Sequence, residues 1–93
     1  MELEVFQDGD EELVRLHTTI GSIESLTPVR LTIALRINAE LAHGAFAIKD
    51  QELIMVDTLL IDDAGDAELA TSIRYLAETA DYYEKAIFDT DEN

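Results

Sequence analysis

The sequence predicts an α+β fold, in which an antiparallel sheet of about four strands packs against two helices in the order ββαββα. Three observations predict it. Apolar and polar residues alternate near the start of the chain, a helix-start signal stands at Thr27-Pro28, and apolar residues recur at helical spacing through the last third. Residues 1–93 are expected to form a single domain. A domain this short buries only about 60 to 65% of the surface that its unfolded chain exposes, which favours self-association.

The first two strands are predicted from period-two alternation. Leu3 and Val5 alternate with glutamates, and Asp8-Gly9 follows as a strong hairpin signal. In the second strand one face carries Val14, Leu16, Thr18 and Ile20, and the other carries Arg15, His17 and Thr19. Gly21 is predicted to end this strand.

The central helix has predicted signals at both ends. Thr27 is the expected N-cap with Pro28 at the first helical position, and Gly44 is the expected stop after a helix that reaches about His43. Two apolar stripes lie along it, the first formed by Leu31, Ala34, Leu35, Leu41 and Ala42, the second by Val29, Ile33 and Ile37. A helix with two apolar faces requires two apolar neighbours, so the sequence predicts a second subunit against one of them.

The second half of the chain repeats the strand-strand-helix order. Strands are expected at Ala45–Ile48 and Leu53–Ile61, joined by a polar turn, and Asp66 is the expected cap of the last helix. The apolar stripe of that helix is formed by Leu69, Ile73, Leu76, Ala80, Tyr83 and Ile87. The acidic tail 89–93 is expected to fray.

The charge and the amino-acid composition restrict the function. Asp and Glu number 21 against 6 Lys and Arg, a formal net charge of −15 that argues against nucleic acid and anionic membranes as partners. The acidic excess is consistent with solubility, a basic partner or adaptation to high salt. With no cysteine and no apolar run near the ~20 residues of a membrane helix, the chain is expected to be soluble and cytoplasmic.

No catalytic, cofactor-binding or metal-binding residues are predicted. Asp57, Asp62, Asp63 and Asp66 offer carboxylate oxygens, but their spacing does not fit a calcium loop, so a solvated loop is expected. His17 and His43 lack a second ligand at metal-binding spacing, and His43 is expected in the last helical turn. A small enzyme is a further alternative, but the sequence shows no activated nucleophile, phosphate loop or metal cluster that would support it.

An amide and three tyrosines remain as candidates for recognition. Asn38 lies among apolar residues of the central helix, and the expected role of its side chain is a hydrogen bond to nearby backbone or water. The alternative is that it orients a dimer or the neighbouring hairpin. Tyr83 fits the core stripe, whereas Tyr75 and Tyr82 share a flank of the last helix that suits either edge packing or a partner.

The stretch from Leu31 through Ile48 and on to Tyr83 resembles the YbjN family and the related type III secretion (Tir, CesT-like) chaperones. The matching residues are Asn38, Leu41, Gly44, Ala45, Phe46, Ala47, Leu53, Val56, Leu69, Leu76, Ala80 and Asp81. The resemblance implies a bacterial, non-enzymatic homodimer with a twisted antiparallel sheet and an acidic surface that holds partly unfolded client segments. Compared with the family pattern, the chain is expected to be shortened at the N-terminus, which leaves sheet surface for a neighbouring subunit to cover.

The sequence therefore predicts a protein-binding module, chaperone-like or adaptor, that holds a protein segment as a homodimer and needs no cofactor. The alternative is a regulatory or scaffold protein that binds a folded basic partner through its acidic surface. The expected dimer or partner contacts are Val29, Ile33, Ile37, Leu31, Leu35, Leu41, Tyr75 and Tyr82.

Overall fold

The structure is a computed structural model that describes residues 1–61 and 65–88. It confirms the predicted α+β fold and the order ββαββα. The elements are β1 (Glu2–Asp8), β2 (Glu11–Ser22), a short 3-10 helix (Ile23–Ser25), α1 (Pro28–Asn38), β3 (Ala45–Lys49), β4 (Glu52–Leu60) and α2 (Asp66–Phe88).

The four strands form one antiparallel sheet in the order β1-β2-β4-β3, so β1 and β3 are its edges. Side chains from one face of the sheet form the core together with both helices, and the other face carries no helix among the described residues. The buried members of this core are Val14, Leu16, Ile20, Ala34, Phe46, Leu53, Met55, Leu76, Ala80 and Ile87. The helices therefore lie in one layer against the sheet.

Two-residue turns close both hairpins. In the first, Gly9 has a φ of 65°, a left-handed conformation that glycine adopts without the steric cost that a side chain incurs. In the second, between β3 and β4, Asp50 has a φ of 57°. Both turns lie where the polar residues between the strands predict them.

Gly21 does not end β2, which continues to Ser22 with a shift in register between Thr19 and Gly21. The prediction failed because the glycine serves a tertiary contact. A Cβ atom at Gly21 would lie 2.6 Å from Cζ of Phe88, at the end of α2. The absent side chain makes room for this aromatic ring.

The central helix begins as predicted, with the Thr27 side chain accepting a hydrogen bond from the Arg30 N–H, but it ends five residues early. Helix α1 ends at Asn38 rather than near His43, and Ala39 is its C-cap. Gly44 does have a left-handed φ of 76°, yet it precedes β3 rather than capping a helix. The early end frees the Asn38 side chain to bond to β3, and it leaves Leu41, Ala42 and His43 in the connecting segment.

The last helix confirms the predicted stripe, with Leu76, Ala80 and Ile87 buried and Leu69, Ile73 and Tyr83 packed around them. Its start differs by one residue. Asp66 is the first helical residue rather than the cap, and the Gly65 carbonyl accepts a hydrogen bond from the Leu69 N–H. The expected acidic loop at 62–64 and the expected frayed tail at 89–93 lie outside the described residues.

Candidate protein-binding surfaces

One surface of the protein combines exposed apolar residues of α1 with the edge strand β3. We call it the α1–β3 face and define it by Leu35 and Ile48, which both line the cleft between α1 and β3, whereas Val29 and Ile33 lie on another side of α1. Val29 and Leu35 are each 68% exposed and Ile48 is 55% exposed, large fractions for apolar side chains. The apolar residues lie on several sides of α1, and only some of them reach the core of the same chain. Of the large apolar residues in the two predicted stripes, Leu35 of the first and Val29 and Ile33 of the second remain exposed.

A cleft of about 330 Å³ separates α1 from β3 within this face. Its surface is almost wholly apolar, and it is lined by Leu31, Ala34, Leu35, Phe46, Ala47, Ile48 and Leu53. Buried core residues form its floor, while exposed residues form its rim. Such a cleft accommodates an apolar side chain from another molecule.

The charge of the α1–β3 face differs from that of the rest of the protein. Neither α1 nor β3 contains an aspartate or glutamate, and together they carry Arg30, Arg36 and Lys49. All 21 acidic residues of the chain therefore lie in other segments. The Arg30 guanidinium donates a hydrogen bond to the Ile87 carbonyl at the end of α2, which leaves Arg36 and Lys49 as the exposed cations of this face.

Asn38 joins α1 to the outer edge of β3. Its side-chain Nδ2 donates to the Phe46 carbonyl at 3.2 Å, and its Oδ1 accepts from the Phe46 N–H at 2.7 Å. The predicted hydrogen bond to nearby backbone is confirmed. The pair also fixes the position of the β3–β4 hairpin against α1, because the amide bonds to both outward polar groups of one strand residue.

A second candidate surface lies on the flank of α2. A cleft of about 320 Å³ is lined by Leu41, Tyr75, Glu78, Thr79, Tyr82 and Tyr83. Tyr83 packs edge-to-face on Phe46 and on Tyr82, with ring centroids 5.4 and 5.0 Å apart. Tyr75 and Tyr82 line one cleft as their spacing predicts, and Tyr82 is the exposed one.

The predicted contact residues of α1 and the segment after it differ in their exposure. Ile37 and Leu41 pack against the core of their own chain, and half-buried Leu31 lines the α1–β3 cleft. The exposed large apolar residues of α1 are Val29, Ile33 and Leu35.

The two histidines differ from their expected environments. His17 lies on the sheet face away from the helices, as expected, but it is buried, with Nε2 3.6 Å from Oε1 of the exposed Glu2. His43 is exposed beyond the end of α1, where its ring meets Tyr75 edge-to-face. The Asp57 carboxylate accepts a hydrogen bond from the Thr58 N–H. Within residues 1–61 and 65–88 no three His, Asp or Glu side chains cluster as a metal site would require.

A third surface, along β1, was missed by the sequence reasoning. Leu3 and Val5 are 50% and 60% exposed at the edge of the sheet. They border a cleft of about 290 Å³, which is also lined by Val14, Ile61, Asp66 and Leu69. The alternation of residues 2–6 predicts a strand, but alternation alone does not show whether that strand lies at an edge.

In the described part of the chain, neither helix combines the length and the apolar character that crossing a membrane requires. The chain matches no protein-family model, no curated protein and no solved structure.

Proposed function

We propose that this protein is a non-enzymatic protein-binding module, chaperone-like or adaptor, that works as a homodimer in the cytoplasm. The observation that carries the proposal is the α1–β3 face, which presents apolar side chains around an open apolar cleft without any carboxylate from α1 or β3. The resemblance of residues 31–83 to the YbjN family and the type III secretion chaperones supports the same function.

The charge distribution favours a second copy of this chain as the partner that binds the α1–β3 face. Two chains of formal charge −15 repel each other over most of their surfaces. Contact through the α1–β3 face brings no carboxylate of α1 or β3 into the contact. Leu35 and Ile48 would lose their exposure to water, and the burial of apolar surface is the dominant favourable contribution to association.

The oligomeric state tests this assignment. Sedimentation velocity at micromolar concentration is expected to show a dimer. The double variant Leu35→Lys and Ile48→Lys is expected to dissociate at least about 100-fold more readily, since each buried apolar residue contributes about tenfold or more. Leu60→Lys is the matched control, because Leu60 is exposed on β4 and lies outside this face. A wild-type monomer at these concentrations would contradict the dimer.

The client-holding role has its own test. An equimolar amount of the wild-type protein is expected to keep an unfolding model protein in solution, measured by light scattering. The interface variant is expected to lose this protection if holding requires the dimer. A wild-type protein that leaves the scattering unchanged would contradict chaperone-like holding and favour the adaptor.

The alternative is a regulatory or scaffold protein that binds a folded basic partner. Its supporting observation is the wide distribution of acidic residues, which occur in every helix and strand except α1 and β3. Affinity capture with mass spectrometry separates the two functions. One dominant folded partner, lost at high salt, would favour the regulator over the chaperone.

A further inference from the structure

The outer edge of β1 exposes backbone groups at alternate residues. A two-residue turn joins β1 to β2, so the flanking pair Asp8 and Glu11 exchanges backbone hydrogen bonds, and every second pair from there does the same. The intervening residues Leu3, Val5 and Gln7 therefore direct their N–H and C=O groups away from β2. Since β1 is an edge strand, these groups point out from the sheet.

The two sides of β1 differ in chemistry. On the helix side, Leu3 and Val5 border a mostly apolar cleft that is also lined by Val14, Ile61, Leu69 and, as its one charged residue, Asp66. An added strand that pairs with Leu3 and Val5 would place alternate side chains beside this cleft. Apolar side chains suit these positions.

On the opposite side of the sheet, β1 carries acidic residues. Glu2, Glu4, Phe6 and Asp8 occupy the positions that alternate with Leu3 and Val5. The three carboxylates are exposed, and the Phe6 ring is half-buried beneath the Arg15 guanidinium. An added strand would place its remaining side chains beside these carboxylates, where cross-strand pairs of opposite charge are favourable. Lysine or arginine suits these positions.

We propose that the β1 edge binds an extended protein segment in which apolar and basic residues alternate, and that this segment adds a fifth strand to the sheet. The inference names the partner chemistry for the protein-binding function proposed above and rests on that function, but it does not depend on the dimer contact. A second copy is disfavoured at this edge. Antiparallel pairing of two β1 strands centred on Val5 would set Glu2 of each copy opposite Asp8 of the other.

The test uses the full chain labelled with ¹⁵N and a peptide of alternating lysine and valine that matches the seven residues of β1. In hydrogen exchange, the amides of Leu3, Val5 and Gln7 are expected to gain protection when the peptide binds, whereas those of Glu4 and Phe6 already bond to β2. Two control peptides are used. One groups the same residues into a lysine block and a valine block, and the other replaces lysine with glutamate.

Variants locate the site. Val5→Pro removes one outward N–H without removing a bond to β2, and it is expected to weaken peptide binding at least about tenfold. Val5→Ala is the matched control, since it shortens the same side chain but keeps the outward N–H, and it is expected to weaken binding less than Val5→Pro. Joint substitution Glu2→Gln and Glu4→Gln is expected to weaken binding about fivefold and to reduce its salt dependence. If Val5→Pro does not fold, a peptide N-methylated at every second residue replaces it, and it is expected to lose affinity.

Four results would overturn the inference. Equal affinity for the block peptide and the alternating peptide would show that alternation is irrelevant. Protection at Ile48 instead of Val5 would place the segment on β3. Protection of Leu3 and Val5 that rises with protein concentration alone would identify a second copy as the occupant. If Val5→Pro still protects the unfolding model protein fully in the light-scattering assay, only the β1 site is rejected. If the wild-type protein neither protects the model protein nor binds the peptide, the proposed function is rejected as well.

Discussion

Asn38 is expected to contribute more to stability than any other polar side chain on α1. Substitution Asn38→Ala removes both hydrogen bonds to the Phe46 backbone. Each bond contributes about 0.5 to 1.5 kcal/mol net, and leaving its backbone partner unsatisfied in a buried residue costs more. Phe46 is only 5% exposed, although its polar groups lie at an edge that water reaches once the amide is gone. The expected loss is about 2 to 3 kcal/mol.

That loss is a large part of the total for a domain of this size, whose free energy of unfolding is about 5 to 15 kcal/mol. Thermal unfolding followed by circular dichroism is expected to show a Tm lower by about 10 to 20 °C. Thr32→Ala is the control, because the Thr32 hydroxyl also donates to a backbone carbonyl, that of Pro28, but on the exposed side of the same helix. Its expected effect is within about 0.5 kcal/mol.

The isosteric variant Asn38→Asp tests the direction of the two bonds. One oxygen of the introduced carboxylate would still accept from the Phe46 N–H, but the other would face the Phe46 carbonyl oxygen. That repulsion raises the pKa of the introduced carboxyl above its unfolded value of about 3.9, so the folded state binds the proton more tightly. The stability deficit relative to wild type is therefore expected to shrink as the pH falls through the raised pKa.

A free energy of unfolding for Asn38→Ala within about 0.5 kcal/mol of the wild-type value would refute this role of Asn38, since its two hydrogen bonds could not then be important. An equal stability deficit of Asn38→Asp at pH 7 and pH 5 would refute the assigned direction of the two bonds. Measuring each deficit against wild type at the same pH removes the general effect of titrating the other carboxylates.

Three further outcomes follow from the structure. Gly21→Ala is expected to lower the free energy of unfolding, measured with urea, by about 1 to 3 kcal/mol because the added methyl crowds the Phe88 ring. Gly65→Ala is the control, since a Cβ there meets nothing within 4 Å, and equal effects of the two variants would refute the contact. Asp50→Gly is expected to stabilise the chain by up to about 1 kcal/mol, because φ is 57° there and glycine adopts this conformation without strain. Asp50→Ala removes the same charge but keeps the strain, so it separates the effect of charge from the effect of backbone conformation. Raising the NaCl concentration to about 1 M is expected to raise the Tm, because salt screens the repulsion within a chain whose net charge is −15. An unchanged Tm would exclude adaptation to high salt as the reason for the acidic excess.

Local patterns were sufficient to predict the kinds of element and their order. Alternation gave the strands, and Thr27 with Pro28 gave the start of α1, because these signals act within a few residues. The errors arose where a distant residue decides the local structure. Gly21 lies within β2 because Phe88 packs over it, and α1 ends at Asn38, whose side chain bonds to Phe46.

The sequence predicted the candidate surfaces only in part, because the exposure of a residue also depends on how distant elements pack. The excess of apolar residues around α1 indicates that some of them lack a partner in the chain, and the structure leaves Val29, Ile33 and Leu35 exposed. Which of the two stripes stays uncovered depends on how α1 packs, and residues of both do. The β1 edge requires the strand order β1-β2-β4-β3, which is a property of the whole sheet rather than of residues 2–8.

The Asn38 amide has a consequence for how this sheet can grow. An open sheet normally has two free edges, and a molecule with two compatible edges can add copies without limit, as fibrils do. Here the edge at β3 is occupied at Phe46 by a side chain of the same molecule, so a strand that approaches from that side finds both backbone groups of Phe46 already bonded. At the β1 edge, like charges oppose a second copy. Each edge therefore carries its own obstacle to the repeated addition of identical strands that builds a fibril.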